Sequence, residues 1–153
     1  LRYRSVFGGF LVQESDQPAS KFQKDWQVFG EKPTPEIEKE LLFCWQVCSG
    51  LKSNAIALSR NYQTLGLGMG QVNRVDAVDQ AIERAQKFHS IEGPVVLASD
   101  AFFPFPDSVE KAAEAGIKWI IQPGGSIKDE EVIQTAKKLG VNMVMTGSRH
   151  FSH

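Results

Sequence analysis

Short apolar runs bounded by Gly, Pro and polar residues recur along the chain, and between them apolar positions fall three and four apart. The first pattern is that of buried strands and the second that of helices packed on them. Residues 6–13 read as a strand carrying a Gly8-Gly9 irregularity of the bulge type. Residues 14–25 are polar and loop-like, and 26–29 form a short strand. Thr34 then reads as an N-cap with Pro35 at the first helical position, and Ile37, Leu41, Trp45 and Cys48 mark a helix over 35–48. Strands follow at 53–59 and 64–69, joined by a hairpin at 60–63. Asn73-Arg74-Val75-Asp76 resembles a capping box and opens a helix whose stripe is Val75, Val78, Ile82 and Ala85. A strand at 94–98 leads into a helix at 109–115, opened by the box-like Asp107-Ser108-Val109-Glu110. A strand at 117–121, a turn at Pro123-Gly124-Gly125-Ser126, a helix at 127–139 and a last strand at 141–145 complete the series.

From residue 54 onward the order is β-β-α-β-α-β-α-β, which predicts an α/β fold, a layered α-β-α sandwich. In such a sheet, ligands bind where the loops leave the strand ends. Segments 70–74, 100–107, 123–126 and 146–151 each follow a strand and are expected to meet at one edge. The second of these holds Phe102, Phe103 and Phe105, and apolar rings in a surface loop need cover from the fold, a partner subunit or a flat ligand. Leu65-Gly66-Leu67-Gly68-Met69-Gly70 alternates with glycine. The glycines serve either a helix packed closely over the strand or close backbone approach to a ligand, and their spacing is not a dinucleotide fingerprint.

Composition narrows the classes. A chain of 153 residues with 42% hydrophobic and 23% charged residues suits one globular domain. A net charge of −1 without a basic block argues against nucleic acid as a partner. No apolar run approaches the ~20 residues of a membrane span. The first residue is Leu and no signal-peptide pattern follows it, so a piece of a longer chain is expected. Cys44 and Cys48 lie four apart with no nearby His or second pair, which favours reduced core thiols over a metal pair.

Several long motifs now stand in order: Lys52-Ser53-Asn54-Ala55-Ile56, Gly68-Met69-Gly70-Gln71-x-x-Arg74, Ser99-Asp100-Ala101-Phe102-Phe103-Pro104-Phe105, Gln122-Pro123-Gly124-Gly125-Ser126-Ile127-Lys128-Asp129-Glu130-Glu131, and Arg149-His150-Phe151-x-His153. Together they resemble the C-terminal part of the bifunctional AICAR formyltransferase/IMP cyclohydrolase family of purine biosynthesis, and the resemblance covers nearly the whole chain. It implies a cytidine-deaminase-like subdomain over 34–153, the second of two such halves. Residues 1–33 would then be an irregular N-terminal strand region continuing a longer domain. It also implies formyl transfer from 10-formyltetrahydrofolate to AICAR by the full protein, a homodimer with the site at its interface, and a cytoplasmic setting inferred from purine synthesis and thiols. The family's catalytic Lys-His dipeptide does not occur here, nor does anything resembling the cyclohydrolase domain, so this chain alone is expected to be inert. The deaminase zinc signature is likewise absent.

The resemblance also assigns residues. Asn54, Arg74, Phe102, Arg149 and Phe151 match positions that hold the AICAR nucleotide. A guanidinium suits phosphate because it donates two parallel hydrogen bonds, although Arg74 could equally be a solvated charge at a helix start. Pro104, Phe105 and Asp107 match folate-side positions, where Asp107 would accept from a pterin amino group; its other role would be the helix N-cap. Ser53 and Asp100 match a monovalent-cation site aided by carbonyls near Val47 and His150, and one carboxylate among neutral oxygens suits K+ better than zinc. Residues 48–51, Cys-Ser-Gly-Leu, depart from the family there and put that ion in question.

Overall fold

In the computed structural model, residues 1–152 are described. Six strands form one sheet in the order β3 (Gln27–Phe29), β8 (Asn142–Met145), β7 (Trp119–Gln122), β6 (Val96–Ser99), β4 (Ile56–Arg60) and β5 (Gln63–Gly68). β6, β7 and β8 run parallel, while β3, β4 and β5 pair antiparallel with their neighbours. Alternation along the strands sends side chains to two cores. Ile56, Leu58, Leu97, Ile120 and Met143 pack under α2 (Arg74–Phe88), α3 (Asp107–Glu114) and α4 (Asp129–Lys138). Ala57, Val96, Ala98, Ile121 and Val144 pack under α1 (Pro35–Ser49), with Phe22 and Trp26 beside it. This is the expected α-β-α sandwich, in the expected element order.

Local cues account for most of the boundaries. Thr34 Oγ1 accepts from Ile37 N at 3.4 Å, so α1 begins as its N-cap and Pro35 predict. Asn61 and Tyr62 have φ of 53° and 57°, the two positive values that a tight hairpin between β4 and β5 requires. Asp129 accepts from Gly125 N at 2.6 Å and Ser126 N at 3.1 Å, which fixes the turn before α4. Gly66 and Gly68 answer to packing: a Cβ on them would stand 2.0 Å from the Ala81 carbonyl oxygen and 1.9 Å from that of Ala77, so α2 lies directly on the strand.

Three local expectations change. Residues 6–13 are not one bulged strand; they belong to a hairpin of β1 (Arg2–Val6) and β2 (Gly9–Gln13), because Gly8, with φ of 80°, turns the chain. Asn73 stands at the N-cap of α2 without a capping bond, since its amide donates to Asp76 instead. Asp107 is the first residue of α3 rather than its cap: Pro106 holds that place, and Asp107 Oδ1 accepts from the next backbone N–H, that of Ser108, at 2.7 Å.

Candidate functional site at the sheet edge

Register brings the anticipated loops together. Ile56 at the start of β4 pairs with Gly68 at the end of β5 and Ser99 at the end of β6, while Gln122 and Met145 end β7 and β8 side by side. The segments after all four strands therefore leave from one edge. The chain beyond β8 then returns across it. Gly147 N donates to Pro123 O at 2.9 Å, His150 N to Asp100 O at 2.8 Å, and Ser53 N to Ser152 O at 2.8 Å.

Beneath this returning segment is a buried ion pair. Arg74 and Asp100 are 7% and 0% exposed. Arg74 Nη1 donates to Asp100 Oδ1, to Ser99 Oγ at 3.1 Å and to the Ala55 carbonyl at 3.2 Å, and its Nη2 donates to Asn54 Oδ1 at 2.9 Å. Asp100 also accepts from Ala55 N at 3.1 Å and from Ser53 Oγ at 2.5 Å. Asn54 Nδ2 donates to the carbonyls of Gln71 and Val72, and the Ser53–Asn54 peptide is cis. Arg74 is thus no solvated helix-start charge. It neutralises a carboxylate that could not otherwise be buried, and it ties the entry of β4 to the exit of β6.

The other anticipated residues occupy the rim. Phe103 is fully buried, its N–H donating to Gln122 Oε1 at 3.0 Å, so one of the three rings belongs to the core. Phe102, Pro104 and Asp107 are half-buried and Phe105 is 56% exposed. Arg149 is exposed with its guanidinium carbon 5.3 Å from the Phe151 ring centroid, a cation–π arrangement. Phe151 and Ser152 form one wall of a cleft of about 560 Å³, with Arg2, Arg4 and Leu11 of the N-terminal hairpin among the residues of the rest.

Ser53 Oγ donates to Asp100 and accepts from Ser152 N at 3.0 Å, and the charge of Asp100 is met by Arg74. Both side chains are spent on the protein's own bonds, so a monovalent ion here would have to displace them or draw on backbone carbonyls. Among the described residues no cluster of three or more His, Cys, Asp or Glu could hold a metal. Cys44 and Cys48 are buried thiols donating to strand carbonyls. Burial, then the nearby Asp100 carboxylate, raises Cys48 well above the ordinary thiol range.

Asp16 had no mark in the sequence, and His150 stood there only in the terminal motif and as a neighbouring carbonyl, not for its ring. Asp16, in the polar loop after β2, lies 2.6 Å from His150 Nδ1, and the His150 ring stands edge-on to Trp45 with centroids 4.7 Å apart. The partners are 134 residues apart, so no local spacing could reveal them. His153 lies outside the described residues.

Comparison with known proteins bears on the family of the chain. The AICARFT/IMPCHase bienzyme family matches residues 1–84, over half of the chain. The bifunctional purine biosynthesis protein PurH of Petrotoga mobilis is 54% identical over 152 residues, covering 99% of this chain and 28% of that protein. PurH of Trichodesmium erythraeum is 52% identical over 149 residues, covering 97% and 28%. The chain therefore spans a little over a quarter of the length of the curated relatives it matches. Among solved structures, the dCMP deaminase from cyanophage S-TIM5 in complex with dCMP and dUMP is similar with a TM-score of 0.48 and 21% identity, covering 75% of this chain and 100% of that one; a likeness at that level bears on neither chemistry nor ligand. Carried by the family match and by identities near one half along almost its whole length, this chain belongs to the AICARFT/IMPCHase bienzyme family.

Proposed function

We propose that this chain is the nucleotide- and folate-binding portion of an AICAR formyltransferase acting in purine (IMP) biosynthesis. The observation that carries the reading is the 54% identity to a bifunctional purine biosynthesis protein over 99% of the chain. The sheet edge supports it, because Asn54, Arg74 and the segment bearing Arg149 and Phe151 converge there while the loop with Phe102, Pro104, Phe105 and Asp107 leaves from the same side.

In the proposed reaction the AICAR amine nitrogen attacks the formyl carbon of 10-formyltetrahydrofolate. The bond from that carbon to N10 breaks, N10 leaves on tetrahydrofolate with a proton, and the amine gives up a proton to a base. The cluster described here supplies no such base: Asp100 is engaged by Arg74, Ser53 and Ala55 N. Its contribution is position. The rim aromatics and Arg149 would orient a planar nucleotide base and its phosphate, and holding two reactants in register is worth an effective molarity of ~10⁵ M or more. Arg74 would act by fixing Asn54 rather than by lending its own charge.

A second reading, a non-catalytic nucleotide- or folate-binding module, is favoured by one fact: the chain has no Lys-His dipeptide. A homodimer with the site at its interface, a K+ ion and a cytoplasmic location belong to the proposal. The test is a formyl-transfer assay with AICAR and 10-formyltetrahydrofolate, run on the full-length protein and on these 153 residues. Turnover by the full-length protein, with binding but no turnover by the shorter chain, supports the first reading. Binding without turnover by both supports the second.

A further inference from the structure

His150 of the returning segment is tied through its backbone and its ring alike, and the proposed reaction gives it nothing to do. It is 4% exposed, its backbone N–H donates to Asp100 O, and its ring packs edge-on against Trp45 of α1. Nδ1 lies 2.6 Å from Asp16 Oδ2; a carboxylate only accepts, so Nδ1 carries the proton. Nε2 is buried and has no hydrogen-bond partner among the described residues. Among the described residues Asp16 is therefore the one side chain that satisfies a ring nitrogen of this buried imidazole.

The neighbours of His150 give the pair its consequence. Arg149 and Phe151 flank it, and neither lies in a helix or strand. A segment outside regular structure is held in place by its individual ties. The ties around these two residues include His150 N to Asp100 O, Ser152 N to Ser53 Oγ, Ser152 O from Ser53 N, and the Asp16–His150 contact. The last reaches the loop that follows the N-terminal hairpin, and Asp16 stands in the lining of the cleft beside Phe151 and Ser152. Without Asp16 both ring nitrogens would lack partners among the described residues, packed against Trp45. A buried polar group so placed leaves for water, taking the segment with it.

We infer that Asp16 and His150 form a clasp: two positioning residues that hold the returning segment down so that Arg149 and Phe151 face the nucleotide. The inference rests on the reading of Arg149 and Phe151 as nucleotide contacts.

The test uses the full-length protein and three variants. Asp16→Ala removes the acceptor, Asp16→Asn keeps an acceptor without charge, and His150→Leu keeps the packing on Trp45 while dropping the partner. In Asp16→Ala and His150→Leu the amides of His150 and Ser152 should exchange with solvent at least about tenfold faster, while those of Ile120 and Val144 in the sheet hold their rates. The KM for AICAR should rise about tenfold with kcat within about twofold, and Asp16→Asn should restore both measurements. Unchanged exchange of the two amides in either variant overturns the clasp, as does a fall in kcat at constant KM or a failure of Asp16→Asn to restore. If Arg149→Ala leaves AICAR affinity unchanged while Asp16→Ala still loosens the segment, the clasp stands and the assignment of the nucleotide contacts falls.

Discussion

Arg74 and Asp100 are each the condition for the other's burial. A lone carboxylate at 0% exposure would be expelled or protonated, and a lone guanidinium at 7% exposure would reach for water. Arg74→Ala should therefore destabilise this chain by about 3–5 kcal/mol, measured as the shift in denaturant midpoint at constant slope. The double variant Arg74→Leu with Asp100→Leu should recover much of that loss, because both charges then leave the interior together. A cost below about 1 kcal/mol for the single variant would place the guanidinium in solvent and refute the pairing. At this scale the sequence was only partly legible. It offered Arg74 as an anion holder or a solvated charge. The internal partner came from a residue 26 positions on, delivered by the pairing of β4 with β6. The pairing of Asp16 with the His150 ring was hidden for the same reason. Periodicity reports which face a residue occupies, not what meets it there.

Elements were more legible, because their signals are local. Thr34-Pro35 and the hairpin at Asn61-Tyr62 appear as the sequence implies, and for the glycines of β5 the structure shows the packing alternative of the two the sequence left open. Cues failed where two local options compete, as at Asn73, whose amide prefers Asp76, and at Gly8-Gly9, where a turn replaces a bulge. The contact of α1 with the sheet yields a prediction of its own. Cys44 and Cys48 are one helical turn apart and both point at the strands; Cys44 Sγ donates to Ala57 O at 3.3 Å and Cys48 Sγ to Ala98 O at 3.4 Å. Burial pushes the Cys44 thiol from an ordinary 9.0 up to about 12. In the folded state it keeps its proton across that window, while in the unfolded chain it loses it. The unfolded state thus binds fewer protons, and stability falls with rising pH. Stability from this source is complete below about pH 9 and declines towards pH 12, at a limiting ~1.4 kcal/mol per pH unit for each such thiol. Denaturation midpoints between pH 8 and 10.5 should fall more steeply for the unsubstituted protein than for Cys44→Ala. Equal slopes would show that the thiol is not buried in the folded state.

At the scale of the whole molecule, the N-terminal hairpin contrasts with everything else. The six-stranded sheet is covered on both faces, whereas every residue of β1 and β2 is exposed. Cross-strand register puts Tyr3 opposite Val12 and Ser5 opposite Phe10, so one face of the ribbon carries three apolar side chains at 67%, 54% and 71% exposure for Tyr3, Val12 and Phe10. A two-stranded ribbon with no packed face is marginal in water, since its backbone bonds and cross-strand pairs barely offset the ordering of its residues. In these 153 residues the hairpin should therefore open without the sheet. Its amides should exchange at least ~10³-fold faster than those of Leu97, Ile120 and Val144, whose protection tracks global unfolding. Tyr3→Ser and Phe10→Ser should each change stability by no more than about 0.5 kcal/mol. Ile120→Ala, at 0% exposure between α2–α4 and the sheet, should cost about 2–5 kcal/mol. If the hairpin amides are as slow as those of the sheet, the two form one cooperative unit. The stability of the chain would then depend on contacts between the hairpin and the returning segment across the cleft of about 560 Å³, and the substitutions at Tyr3 and Phe10 would register in the denaturation midpoint.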